Sequence, residues 1–335
     1  MSRIMKICIP LMALFAMAWT SLGLAAEVSN KVEVSNNFPN RPIKVLVGFP
    51  PGGGVDLTAR LMAQALSVQL GQPVVVENKA GAAGAIAAEL AARATPDGYT
   101  LVLGNTGSMT INPALYSKLP YNTLKDFEAV AGVSKSPMLV MVNPNSAYKT
   151  VADFKSAALI KPGVVSFGSG GTGSIGHLIG ELMAMHLGVK LLHVPYKGGT
   201  PAIADLLGSQ VDMVVEGVPL SGPLIRSGKI KALFVTAGQR LDVLPDVPSA
   251  VEVGLPDLNL NVWYGFLAPA GTPTAVVKFL NDAVNAVLKD PEVIAKINEQ
   301  GAVPMPGTPT DFKALLAQEL ARWQQAVKAG GIEVQ

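Results

Sequence analysis

Short apolar runs alternate along most of the chain with stretches whose apolar residues recur at helical spacing. Ile43–Val47 reads as a strand, after which Leu57, Leu61, Met62, Ala65 and Leu66 share one face of a helix opening at Asp56. Asp56 is expected to cap that helix. The pattern continues with a strand at 73–77, a Gly81-Ala82-Ala83-Gly84 turn, an alanine-rich helix around 86–94, a Pro96-Asp97-Gly98 turn and a strand at 100–104. This order predicts a parallel, doubly wound sheet, in which ligands gather where strands end and helices begin.

Two apolar runs, 128–133 and 138–142, read as separate strands and lead to Asn143-Pro144-Asn145-Ser146, where the chain is expected to cross into a second lobe. There the alternation resumes. Thr150 with Asp153 forms a capping-box pattern, followed by a strand at 164–167, a helix at 174–187, a strand at 190–194, a helix begun by Thr200-Pro201, and strands at 212–215 and 232–236. A long strand at 258–268 returns to the first lobe. Three helices then open at Thr272-Pro273, Asp290-Pro291 and Thr308-Pro309, the last carrying Phe312, Leu315, Leu316, Leu320, Trp323 and Val327 on one face. The expected architecture is α/β and two-lobed, each lobe a mostly parallel sheet flanked by helices. Lobe 1 comprises 41–142 plus 262–335, and lobe 2 comprises 143–261.

The segment ahead of this alternation changes the setting. Arg3 and Lys6, the apolar stretch 7–19, and small residues Gly23 and Ala25 have the layout of a secretory signal peptide at 1–25. Residues 26–40 are polar, lack a core pattern and read as a flexible tether. Removing the leader leaves 24 basic and 24 acidic residues, with no basic stripe for nucleic acid. The single cysteine, Cys8, goes with the leader, so the mature protein is expected to contain no disulfide. Apolar residues make up 49% of the 335, and charged residues 15%, enough for two real cores. The expected location is the bacterial periplasm.

The chemistry lies in two glycine loops, Pro50-Pro51-Gly52-Gly53-Gly54-Val55-Asp56 and Gly168-Ser169-Gly170-Gly171-Thr172-Gly173-Ser174, each between a strand and a helix. Such loops bring backbone amides and a helix N-terminus to one spot, a natural seat for an anion. The first lacks the Gly-Lys-Ser/Thr of a phosphate loop. The second matches G-x-G-x-x-G at Gly168, Gly170 and Gly173, but the following strand ends in Tyr196-Lys197 without the ribose-binding acid of a dinucleotide site. Thr172-Gly173-Ser174-Ile175-Gly176 approaches a nucleophile elbow, so a secreted serine hydrolase using Ser174 stays an alternative. Its histidines, His177, His186 and His193, follow too closely for the usual triad order. They also lack metal-ligand spacing, so no metal or cofactor is expected. Hydroxyls of Thr106, Ser108, Thr172 and Ser174, with the loop amides of Gly53 and its neighbours, suit a carboxylate. Asp56 and Glu216 complicate a purely anionic guest.

The leader, the first glycine loop with Ala59-Arg60, Gly71-Gln72-Pro73-Val74-Val75-Val76-Glu77-Asn78, Pro96-Asp97-Gly98-Tyr99-Thr100-Leu101, Gly173-Ser174 with His177-Leu178, and His193-Val194-Pro195-Tyr196-Lys197-Gly198-Gly199 resemble, in order, the tripartite tricarboxylate transporter receptors, or Bug family. The resemblance implies a periplasmic Venus-flytrap receptor, not an enzyme, acting as a monomer that takes a small carboxylate and hands it to the permease subunits of a tripartite transporter. It further implies a cleft lined by Phe49, Gly52, Asp56, Asn105, Thr106, Ser169, Thr172, Gly173, Ser174 and His177, approached from the second lobe by Tyr196, Lys197 and Gly198. The family's Phe-Asp-Asn before Leu-Pro is here Val215-Glu216-Gly217-Val218-Pro219, a departure at the pocket's distal end. A sensor docking to a signalling receptor remains a further alternative.

Overall fold

The computed structural model describes residues 38–330; the leader and residues 26–37 of the tether lie outside them. The first half of the chain supplies β1 (Ile43–Val47), α1 (Gly54–Leu70), β2 (Val74–Asn78), α2 (Ala85–Ala92), β3 (Thr100–Asn105), α3 (Asn112–Leu115), β4 (Phe127–Val142) and α4 (Val151–Ile160). There follow β5 (Ser166–Ser169), α5 (Ile175–Leu187), β6 (Leu192–Pro195), α6 (Gly199–Leu207), β7 (Met213–Gly217), α7 (Val218–Arg226) and β8 (Lys231–Val235). The chain closes with β9 (Asn261–Pro269), α8 (Thr274–Val287), α9 (Pro291–Glu299), β10 (Val303–Pro304) and α10 (Pro309–Gly330).

The strands lie in the order β2-β1-β3-β9-β4-β7-β5-β6, with β8 and β10 also paired to β4. β2, β1 and β3 are parallel, as are β7, β5 and β6. Between these two parallel groups run β9 and β4, antiparallel to each other and to their outer neighbours. The result is an α/β fold with a mixed sheet, its parallel parts at either end and helices packed on them.

The runs expected as two strands are one 16-residue strand, β4. Its polar middle is where it changes partners: Phe127 to Pro137 pair with β9, and Met138 to Val142 pair with β7 and β8. Register shifts between Ala129 and Ala131 and between Gly132 and Ser134 bend it as bulges do. Only Lys135 within β4 is exposed, so the polar stretch is a kinked interior strand and not a loop.

Helix starts follow local chemistry closely. Thr150 and Asp153 form both bonds of a capping box, and Ser174 caps α5 by accepting the His177 N–H at 3.2 Å. α1 departs from expectation, because its cap residue is Gly53 and Asp56 stands in its first turn. α7 was hidden by Pro219 and Pro223, although proline is tolerated in a first turn and Pro223 is carried inside the helix. The π-helical turn Gly107–Ile111 and α3 were likewise unmarked by any apolar period.

The predicted face of α10 seals the β9 side of the sheet. Phe312 meets Trp263 edge to face at 5.4 Å, and Trp323 is buried; burying side chains of this size contributes roughly 1.5–3 kcal/mol each. Phe38, within the segment expected to be a tether, packs against Tyr99 and Phe279 at 4.9 and 5.6 Å, so ordered packing already includes Phe38. Among the described residues no helix is long and apolar enough to cross a membrane.

Candidate functional site

The first glycine loop is fastened by Asp56, which is 1% exposed. Its Oδ2 accepts the Gly52 N–H at 2.8 Å and the Arg60 Nε–H at 2.9 Å, while its Oδ1 accepts from Asn78 Nδ2 at 2.8 Å. Asn78 Nδ2 also donates to the Phe49 carbonyl at 2.9 Å, tying the loop's other end to β2. Burial alone would raise the Asp56 carboxyl, but the bonds from Arg60, Gly52 and Asn78 outweigh it and hold it below its ordinary value. Asp56 is thus a loop anchor that points away from the cleft. With no side-chain cap on α1, its first amides face the cleft instead.

The second loop is held from beneath by stacked rings. His193 lies between Phe167 and His177, at 4.8 and 4.1 Å. Its Nε2 is 2.8 Å from Ser169 Oγ, and that oxygen accepts the Gly171 N–H at 3.2 Å. His177 Nδ1 accepts the Gly173 N–H at 3.3 Å, which leaves the ring proton on Nε2, 3.7 Å from Glu181. Burial pushes the His177 imidazole down to about 4; burial and the neighbouring His177 push His193 to about 3. Both rings are neutral supports.

The first glycine loop meets the turn between β6 and α6. A Cβ built on Gly198 would come within 2.7 Å of Pro50 Cδ, and Gly198 has φ 137°, a conformation that favours glycine. Tyr116 Oη donates to the Thr172 carbonyl at 3.4 Å, bridging the end of α3 to the second glycine loop. Inside this contact lies a cavity of about 40 Å³ walled by Phe49, Pro50, Gly53, Gly54, Val55, Asn105, Met138, Gly170, Ser174, Ile175, Gly176, Gly199, Thr200, Val215, Glu216, Val262 and Tyr264. A wider hollow of about 210 Å³ adjoins it across Phe49 and Gly170, bordered by Gly81–Ala83, Tyr116, Gly171, Thr172 and Pro195–Lys197. The N-termini of α1, α5 and α6 all open on the inner cavity. Their unpaired amides and dipoles make it a place for negative charge.

One acid stands against that field. Glu216, at the end of β7, enters the inner cavity; its Oε1 accepts the Gly217 N–H at 2.8 Å. Its Oε2 lies against Gly199, where any added Cβ would overlap it. Burial pushes the Glu216 carboxyl up to about 7 and is only partly offset by the Gly217 bond. Tyr264 faces it from β9; burial, and then Glu216 itself, raise the phenol above its ordinary value. The wall carries no Lys, Arg or His.

Of the residues singled out from sequence, Phe49, Gly53, Asn105, Ser174 and Glu216 line the inner cavity, and Phe49, Thr172, Tyr196 and Lys197 the outer hollow. Gly52, Asp56, Ser169, Gly173, His177 and Gly198 lie behind these walls as loop supports and contacts. The hydroxyls of Thr106 and Ser108 are engaged internally: Thr106 Oγ1 accepts the Trp263 N–H at 3.0 Å, and Ser108 Oγ donates to Asn105 Oδ1 at 3.0 Å. Tyr196 Oη donates to Asp205 at 2.6 Å. Sequence reasoning missed Tyr264 and Gly199. Tyr264 was visible only as a polar-tipped aromatic in an apolar strand, and Gly199 as the second glycine of Gly198-Gly199.

Comparison with known proteins fits this arrangement. The family model for the tripartite tricarboxylate transporter family receptor, TctC, matches residues 58–332. The chain belongs to that family. Protein BugT of Bordetella pertussis is 34% identical over 97% of this chain and 98% of its own length. Among solved structures, MatC of Rhodopseudomonas palustris with bound malate aligns at 35% identity and TM-score 0.83, covering 87% of this chain and all of that one. A second R. palustris protein, solved with adipate, aligns at 36% identity and TM-score 0.85, covering 88% and 99%. The TctC receptor described here therefore has the two-lobed fold of periplasmic binding proteins.

Proposed function

We propose that this TctC receptor captures a small carboxylate in the cavity between its glycine loops and delivers it to the membrane permease of a tripartite transporter. The observation that carries the reading is the convergence of three helix N-termini, α1 from one half of the sheet and α5 and α6 from the other, on one cavity whose remaining walls are largely apolar. A carboxylate held there ties the two halves together, as hinge closure on a ligand requires. The malate and adipate in related structures support the ligand class.

In this reading 1–25 is a cleaved export signal, the mature protein is a periplasmic monomer, and its lobes are 41–142 plus 262–335 and 143–261. No chemical step is assigned to the cleft. Ser174 Oγ accepts the His177 N–H, and the His177 ring is turned to Gly173 and Glu181, so no base stands beside the hydroxyl. The test is a thermal-shift screen of the mature chain, unfolded and refolded to strip ligand, against mono-, di- and tricarboxylates. A concentration-dependent rise in Tm with at least one is expected; a flat response across the panel sinks the proposal.

A further inference from the structure

Every wall of the inner cavity but one favours negative charge or is indifferent to it. The amides of α1, α5 and α6 open on it, Val215, Val262 and Met138 are apolar, and the wall's only charged side chain is Glu216. Among the described residues no cation balances that side chain. Its partners are the Gly217 N–H at the start of α7 and the backbone of Gly199 at the start of α6. Glu216 therefore already occupies the α6 end of the cavity with a carboxylate, and only a glycine at 199 leaves it room. The other titratable group facing it is the Tyr264 phenol, a neutral donor. Asp56, the other acid of the region, is neutralised by Arg60 behind the wall.

We infer that Glu216 selects the ligand's far end, admitting a molecule with one carboxylate at the glycine loops and a hydrogen-bond donor, a hydroxyl or an ammonium, opposite Glu216, and rejecting a second carboxylate there. The inference rests on the carboxylate-receptor reading and narrows it. Its physical basis is that an ionised carboxylate only accepts hydrogen bonds, and that two like charges in a poorly solvated cavity repel far more strongly than in water. The raised Glu216 carboxyl, near 7, reflects the same walls: they tolerate one negative charge poorly. Specificity arises from the repulsive element as much as from the attractive one.

The experiment uses matched probes. At about pH 8.5, where Glu216 is ionised, ligand-stripped mature protein is titrated calorimetrically with succinate, γ-hydroxybutyrate and γ-aminobutyrate, and with adipate and its ω-hydroxy and ω-amino mono-acid analogues. The hydroxy and amino arms show which donor is preferred. Wild type is expected to bind at least one donor-ended mono-acid about tenfold or more tighter than the diacid of the same length, and Glu216→Gln is expected to narrow or reverse that ratio. A wild type that binds a diacid as tightly as its mono-acid analogues overturns the inference and leaves the carboxylate receptor standing. An unchanged ratio in Glu216→Gln does the same. Failure of every probe to bind overturns the receptor reading and the inference together. Should the variant not fold, the wild-type ratio alone decides.

Discussion

Asp56 and Asn78 meet across the seam between α1 and β2, Asn78 Nδ2 donating to Asp56 Oδ1 at 2.8 Å while it also holds the Phe49 carbonyl. This one contact fixes both ends of the first glycine loop, since Asp56 holds Gly52 as well. The acid that looked out of place beside an anion site is what shapes the site.

Asp56→Ala removes a buried acceptor of three hydrogen bonds and should destabilise the protein by about 2–3 kcal/mol in urea unfolding. Carboxylate affinity should fall further than in Asp56→Asn, which keeps one acceptor oxygen. Equal affinity in wild type and Asp56→Ala would show that the loop holds its shape without the anchor.

Glu216 gives diacid binding a pH dependence of known sign. Its carboxyl titrates near 7, protonated and able to donate below that value, negative and repulsive above it. Adipate affinity should therefore fall as pH rises through 7, approaching about tenfold per unit at most, and Glu216→Gln should flatten the curve. Calorimetry between about pH 6.5 and 8.5, where the ligand's own carboxylates stay ionised, separates the two.

The stacked His177 and His193 make acid stability steep. Their folded values, about 4 and about 3, lie below the ordinary 6.5, so the unfolded chain binds more protons in between. Stability is full above about 6.5 and is lost as pH falls toward 4, His177 alone accounting for on the order of 3 kcal/mol. His186, raised by its bond to Asp257, works in the opposite direction from an exposed site. Urea midpoints measured across this range should fall less steeply in His177→Gln than in wild type.

Ser174→Ala should cost about 1 kcal/mol through loss of the α5 cap and weaken ligand binding modestly. Neither wild type nor variant should turn over an ester panel. Esterase activity that disappears with the hydroxyl would replace the receptor reading with a hydrolase.

Much of this was legible from local pattern. β1, the capping box at Thr150, the Ser174 cap and the buried face of α10 follow from periodicity and short-range bonding, which a single sequence displays. What escaped depends on partners distant in sequence. β4 looked like two strands because its polar middle marks a change of neighbours, and neighbours are not written in the strand itself. Asp56 was read as a cap because Asn78, its counterpart, lies a strand away. Glu216 was noticed as a departure from its family, but its opposition to Tyr264 and Gly199 exists only once β7, β9 and α6 are brought together.

The position of β9 has a consequence for how the molecule comes into being. Val102 and Ala129, made early in synthesis, both await Leu267, because β9 lies between β3 and β4. Until it arrives those strands expose open edges, and closing the sheet means joining segments far apart in the chain, a slow kind of assembly. A chain cut short before Asn261 would leave β3 and β4 unjoined. The receptor's sheet is assembled as a single piece, completed from the C-terminal third of the chain.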